Sequence, residues 1–179
     1  MVKVLSNIEA VLLSVVNEKP SYAYEIDKII NIRNVRMWVK IGVASIYQVL
    51  KKLEKKKLVY SKKEKEGRMP DRKRYYITND GRASLVEASK RLLSSFEWHY
   101  MDLNVGLETS DLLTHEEIVE CMMIRLAKVQ SNKKILKNIY LTGERKNFKE
   151  NAVIKNLIIF REAEEDFLLQ FLKDLAWKE

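Results

Sequence analysis

The chain has one cysteine, two histidines and five glycines in 179 residues. A single cysteine excludes an internal disulfide framework. Cys121, His99 and His115 are the only thiol and imidazoles, and no two fall at the close spacing that zinc sites use, so no metal site is expected. There is no glycine-rich phosphate loop and no serine or cysteine nucleophile in a recognisable motif. The acidic cluster Glu162, Glu164, Glu165 and Asp166 reads as a solvated helix face. The chain is therefore not expected to be an enzyme or to carry a cofactor. It also lacks a lipidation signal and a long apolar run, which argues against a membrane partner. The apolar start MVKVLSNIEAVLLSVV is interrupted by Ser6, Asn7 and Glu9 and has no small-residue cleavage site, so a signal peptide is not expected and a cytoplasmic location is.

What the chain does have is unevenly placed positive charge. The formal net charge is +8, yet residues 1–82 alone balance to +10 and residues 83–179 to −2. Basic charge concentrated on one module is the electrostatic footprint of a phosphate-backbone partner. At 46% apolar the chain can bury a core, and at 32% charged its surface is well solvated.

Residues 42–82 concentrate that charge. Ile46, Val49, Leu50 and Leu53 make an apolar helical seam, opposite Ser45, Gln48, Lys51, Lys52 and Lys55. Leu58 to Lys63 alternate as a half-buried strand. Lys65 to Asp71 has turn chemistry, with Gly67 and Pro70. Arg68 falls near the tip, and Arg72, Lys73 and Arg74 on the return strand. A groove-sized helix followed by a cationic β-ribbon is how a winged helix holds DNA. The run of lysines from Lys51 to Lys63 could be only a solvated face. Its coincidence with a wing of the same sign favours nucleic acid. Tyr47 can donate to a phosphate or cover the core edge.

Four pieces in order resemble the PadR family of bacterial transcriptional regulators. They are Tyr22-Ala23-Tyr24-Glu25, Ser45-Ile46-Tyr47-Gln48-Val49-Leu50, Leu53-Glu54 through Leu58-Val59, and Gly67-Arg68 with Arg74-Tyr75-Tyr76-Ile77-Thr78-Asn79-Asp80-Gly81. Ala23 and Ala44 stand where that family usually has glycine, and Gln48 where it often has proline. The resemblance covers roughly the first half of the chain, and it favours phosphate contact for Tyr47. It implies a mostly α fold, with a winged helix-turn-helix over residues 1–82 and a bridge helix and helical dimerisation region over residues 83–179. The length of the second part is similar to the subgroup with a virulence-activator-like C-terminal region. The implied function is a sequence-specific, homodimeric regulator of double-stranded DNA, a repressor on a pseudo-palindromic operator. The candidate DNA-binding set is Tyr22, Ser45, Tyr47, Gln48, Lys51, Lys52, Arg68, Arg72, Lys73 and Arg74. A MarR-type regulator, or an interaction module whose wing binds an acidic protein, are the competing readings.

Outside the wing, an apolar stripe predicts a first helix over about residues 4–17, and Ser21 is placed to cap a second one. Trp38 is expected as a core anchor in the connector 31–41, and Cys121 as a buried thiol. Thr78 or Asn79 opens a long bridge helix carrying Leu85, Leu92, Phe96 and His99 or Tyr100. Thr114 and Glu117 form a capping box ahead of a stripe from Ile118 to Tyr140. A last helix, about 148–176, shows Val153, Leu157, Phe160, Phe167, Leu168, Phe171 and Leu175 as its seam. Two such helices need partners for their apolar faces, so a homodimer is expected. Phe96, Trp98 and Tyr100 read either as interface packing or as the site of a small aromatic or hydrophobic effector. PadR-like regulators are often ligand-responsive, which is what the resemblance adds to the second alternative.

Overall fold

A computed structural model describes residues 2–64, 72–142 and 148–176. The chain divides into two compact units, Met1–Trp98 and His99–Glu179. The first contains α1 (Asn7–Glu18), β1 (Ser21–Tyr22), α2 (Ala23–Ile32), α3 (Val43–Lys55), β2 (Val59–Glu64), β3 (Arg72–Ile77) and α4 (Asn79–Ser94). The second contains α5 (Asp102–Glu108), α6 (His115–Thr142) and α7 (Phe148–Ala176).

Helix α1 starts later than its apolar stripe suggests, because Ser6 is its N-cap. The Ser6 N–H donates to the Glu9 carboxylate at 2.9 Å and the Glu9 N–H donates back to the Ser6 hydroxyl at 3.3 Å. Residues before it run along α4. The Lys3 N–H donates to the Ser84 hydroxyl, and Arg91 donates to the Leu5 carbonyl, both at 3.0 Å. Ser21 does not cap α2 either. Its hydroxyl donates to the Lys19 carbonyl, and its backbone pairs with Tyr75 as part of a two-residue strand. The residue preceding α2 is Tyr22, whose N–H donates to Glu25.

The sheet order is β1-β3-β2, all antiparallel, with Val59 opposite Ile77 and Glu64 opposite Arg72. Leu12, Leu13 and Val16 of α1 join Ile26 and Ile30 of α2, Ile46, Leu50 and Leu53 of α3, and Val59 and Tyr75 of the hairpin in one core. Each fully buried leucine or isoleucine contributes about 1.5–3 kcal/mol. That exceeds the helix-propensity differences, under about 0.7 kcal/mol per ordinary residue, so packing decides this arrangement. Trp38 is not the connector's anchor. It is about two-fifths exposed, and Val35 and Ile41 take the buried positions.

Helix α3 ends in a left-handed turn at Lys57 (φ 59°). The Lys57 N–H donates to the Glu54 carbonyl and the Leu58 N–H to the Leu53 carbonyl, which satisfies two end carbonyls of the helix. Thr78 caps α4 by accepting the Gly81 N–H at 2.9 Å. The Thr78 backbone N–H donates to the Leu58 carbonyl at 3.0 Å. The end of α3, the start of β2 and the cap of α4 therefore meet at Leu58.

Helix α4 stops at Ser94, short of Phe96, so the expected rigid bridge to Tyr100 does not form. The Ser94 hydroxyl donates back to the Lys90 carbonyl and Ser95 is extended. Serine competes for backbone hydrogen bonds and aromatics lose rotamer freedom in a helix, so Ser-Ser-Phe is a poor continuation. Ser84 and Ala88 are buried and Leu85 packs on the core, which sets α4 within the first unit rather than after residue 82.

In the second unit α6 and α7 pack antiparallel. Met122 and Leu126 meet Leu168 and Phe171 near one end, and Leu136 meets Ile154 and Ile158 near the other. Arg125 donates to Glu164 at 2.6 and 2.9 Å, Lys133 pairs with Glu165, and Lys137 with Glu162 at 2.7 Å. The capping box of Thr114 and Glu117 is present, with bonds of 2.8 and 3.2 Å. Three expectations fail here. Cys121 is exposed, because Met122 takes the inward position beside it. Tyr140 lies outside the buried stripe. On α7 the seam runs through Ile154, Ile158 and Leu168, leaving Phe160 and Phe167 substantially exposed. Apolar residues occur on more than one side of α7, so spacing alone does not select the inward side.

Candidate nucleic-acid interface

The apolar seam of α3 fixes which side chains face water. With Ile46, Leu50 and Leu53 buried, Ala44, Tyr47, Gln48, Lys51 and Lys55 are exposed along one helix face. The side chains of Tyr47, Gln48 and Lys51 make no hydrogen bond or ion pair among the described residues. Ser45 is half-buried at the edge of this face. Lys52 turns toward α1, where its ammonium lies 3.5 Å from the Glu9 carboxylate.

Glu9 is a buried carboxylate, 2% exposed, at the start of α1. Lys56 donates to it at 2.7 Å. Burial alone would push its carboxyl up. The Lys56 and Ser6 hydrogen bonds and the charges of Lys56 and Lys52 outweigh that and hold it below the usual carboxylate range. Lys3 also donates to the Lys56 carbonyl at 2.6 Å. The C-terminal end of α3 is thus clamped to the N-terminal segment.

Strand alternation and register sort the wing residues onto two faces. One face carries Tyr60, Lys62, Glu64, Arg72, Arg74 and Tyr76; the other carries Val59, Ser61, Lys63, Lys73, Tyr75 and Ile77. Val59 and Tyr75 are buried, so the second face is the inner one. Lys73 there lies 3.6 Å from Glu54 of α3. Arg72 and Arg74 belong to the outer face. The structure therefore does not bring Lys73 together with its two arginine neighbours. Arg68 lies outside the described residues.

Tyr22 is 6% exposed and supports Arg74 from beneath. The Arg74 guanidinium sits 4.4 Å from the Tyr22 ring centroid and donates from Nη2 to the Tyr22 hydroxyl at 3.0 Å. Its Nε donates to Glu64 Oε2 at 3.0 Å. The Tyr22 hydroxyl donates to the same oxygen at 2.7 Å, and the Tyr76 hydroxyl donates to Oε1 at 3.0 Å. Tyr24 stacks on Tyr22 at 5.5 Å, and Arg72 lies over Tyr24 at 5.3 Å. Tyr22's bond holds the Glu64 carboxyl below the usual carboxylate range, helped by Tyr76 and Arg74 and opposed by burial. The bond to Tyr22 and the Glu64 charge keep Arg74 still more firmly protonated. Arg74 works to lower the Tyr22 hydroxyl, but Glu64 and burial prevail and push it up.

Glu64, Tyr24 and Glu9 are missing from the sequence-based set. Glu9 was detectable, since Ser6 and Glu9 have capping-box spacing. Glu64 was not. Its partners come from β1 and β3, and the register that unites them depends on a turn whose type the sequence leaves open.

Phe96 and Trp98 are exposed at the end of the first unit, with rings edge to face at 5.4 Å. Tyr100, in the second unit, is exposed. Also in the second unit, His99 stacks on Phe160 at 5.3 Å. Among the described residues no group of three or more His, Cys, Asp or Glu could hold a metal ion, and no helix is long and apolar enough to cross a membrane.

Three helices around one core, the third leading into a cationic antiparallel hairpin, define a winged helix-turn-helix unit, here followed by an antiparallel helical pair. Residues 12–87 match the model of the transcriptional regulator PadR-like family. Solved structures agree on the fold. Bacillus subtilis PadR in complex with operator DNA superposes with a TM-score of 0.78 at 16% identity, covering 95% of this chain and 99% of that one. The PadR-like regulator BC1756 from Bacillus cereus gives 0.68 at 20% identity, covering 96% and 99%. Bacillus subtilis PadR in complex with p-coumaric acid gives 0.77 at 15% identity, covering 94% and 98%. None of the curated proteins matches the chain.

Proposed function

We propose that this chain is a cytoplasmic, homodimeric repressor that binds a pseudo-palindromic DNA operator through α3 and the wing. The observation that carries the reading is the exposed α3 face of Tyr47, Gln48 and Lys51, whose side chains make no hydrogen bond or ion pair among the described residues. A similarly folded protein is solved on operator DNA, which supports the same use here. Lys51 and Lys52 meet phosphates, Tyr47 donates to one, and Gln48 reaches a base edge. Ser45 lines the helix start, and Arg68, Arg72, Lys73 and Arg74 supply the wing's charge. Tyr22 acts by holding Arg74.

Lys51→Ala is expected to weaken binding to all duplexes alike and to lower the salt slope by about one unit. Gln48→Ala should instead relax preference at one or two positions, by about 1–3 kcal/mol each. Fluorescence anisotropy across a salt series measures both. Unchanged affinity and slope after alanine substitution of Lys51, Lys52, Arg68, Arg72 and Arg74 together would overturn the reading. An acidic-protein partner would leave no preference among duplexes.

The homodimer rests on the second unit, where Met123, Ile124, Ile159, Phe160, Phe167 and Leu169 expose apolar surface. The full chain is expected to sediment as a dimer at micromolar concentration, and a chain lacking residues 144–179 as a monomer. A monomeric full chain would sink this. Response to a small aromatic effector is part of the same reading, supported by a neighbour solved with p-coumaric acid and by the exposed aromatics Phe96, Trp98 and Tyr100.

A further inference from the structure

The outer face of the wing holds a carboxylate where a DNA-binding surface would be expected to hold only cations. Glu64 receives three bonds, from the Tyr22 hydroxyl at 2.7 Å, Arg74 Nε at 3.0 Å and the Tyr76 hydroxyl at 3.0 Å. It is hydrogen-bonded too well to be incidental surface charge, and its lowered carboxyl keeps it ionised through neutral pH. Arg74 is held on two sides, by Glu64 and by the Tyr22 ring and hydroxyl, and its side chain remains 28% exposed. A guanidinium has five N–H donors, and two of Arg74's are used in these bonds, so three remain for a DNA ligand. The fixed fork can be aimed, but its charge is largely answered from within the protein. A guanidinium already neutralised by a carboxylate releases little from the counterion atmosphere of DNA.

We propose that Glu64 is a specificity-determining positioning residue: it ties Arg74 to the wing base, so that Arg74 contributes direction to DNA binding while its pull on arbitrary sequence is restrained. This rests on the DNA-binding reading above. A wing arginine freed from its carboxylate gains one more phosphate contact on any duplex. That gain is indifferent to sequence, so discrimination falls as affinity rises.

The test compares the full chain with Glu64→Gln, Arg74→Ala and the double variant, on two probes. One is a random-sequence 40-base-pair duplex; the other is a duplex selected by the unaltered chain from a random pool. Glutamine keeps an acceptor for Tyr22 and Arg74, and circular dichroism checks that each variant folds. Glu64→Gln is expected to bind the random duplex several-fold tighter at ~50 mM salt, with a salt slope steeper by about one unit, and to gain less on the selected duplex. In the Arg74→Ala background the same change should have no effect on slope. An unchanged slope for Glu64→Gln overturns the inference while leaving the DNA-binding reading intact. So does an equal gain in the Arg74→Ala background, which would mark a general charge effect. Should Glu64→Gln misfold, Tyr22→Phe carries the test. It removes the hydroxyl that donates to Glu64 and accepts from Arg74, and undiminished discrimination between the two probes would overturn the proposal that this network restrains Arg74. If the unaltered chain itself binds neither duplex, the underlying reading falls, and the inference with it.

Discussion

Gly81→Ala is expected to lower the stability of the first unit by about 3 kcal/mol, although alanine is the better helix former by about 1 kcal/mol. Gly81 lies in the first turn of α4, where a Cβ would stand 2.2 Å from the Leu58 carbonyl oxygen and 2.8 Å from an Ile77 side-chain carbon. The nearer atom is backbone, so no rotamer change relieves the clash. The Leu58 carbonyl cannot retreat without leaving the Thr78 N–H. At about 4–8 °C per kcal/mol for a unit of this size, the first unit should melt roughly 12–24 °C lower. Hydrogen exchange at the Leu12 to Val16 amides would separate its unfolding from that of the helical pair. An unchanged or raised melting temperature would show that α4 does not approach Leu58 as described.

The second large effect concerns Glu9. Replacing it by alanine leaves Lys56 beside a partly dry cavity and removes the acceptor for the Ser6 N–H. Breaking a buried pair costs about 3–5 kcal/mol; Lys56 is a quarter exposed, which argues for the lower end. The pH dependence follows from the lowered carboxyl. A depressed folded-state pKa means that the ionised carboxylate contributes its full stabilisation above the unfolded value, near 4.5. The contribution is lost as pH falls through the lower folded-state value. Unfolding by urea at a series of pH values should show stability falling below about pH 4.5, more shallowly in Glu9→Gln. Parallel curves for the two would rule out Glu9 as a source of acid sensitivity.

Much of the fold was legible where period and punctuation agreed. The seam of α3, the alternation of the hairpin, the Thr78 cap and the box at Thr114 and Glu117 each follow from local chemistry. Strand β1 was not legible, because two residues carry no period and Ser21 has the chemistry of a helix cap. The stop after Ser94 has no glycine or proline to mark it. The inward side of α7 was ambiguous because apolar residues occur on several sides. Of the candidate interface, the helix side was readable from one amphipathic segment. The tie among Tyr22, Glu64 and Arg74 was not, since it joins residues that only tertiary register brings within 3 Å.

The left-handed turn at Lys57 limits how the chain can vary in length. Leu58 is pinned on both sides, its N–H to Leu53 and its carbonyl to Thr78. Substitutions at Lys56 and Lys57 keep this link, but inserting or deleting one residue there would not. Strand side chains alternate with period two, so a one-residue change would turn Val59 outward and swing Tyr60 and Lys62 into the core. Related chains should therefore tolerate a changed side chain at position 57 more readily than a changed length of 56–58.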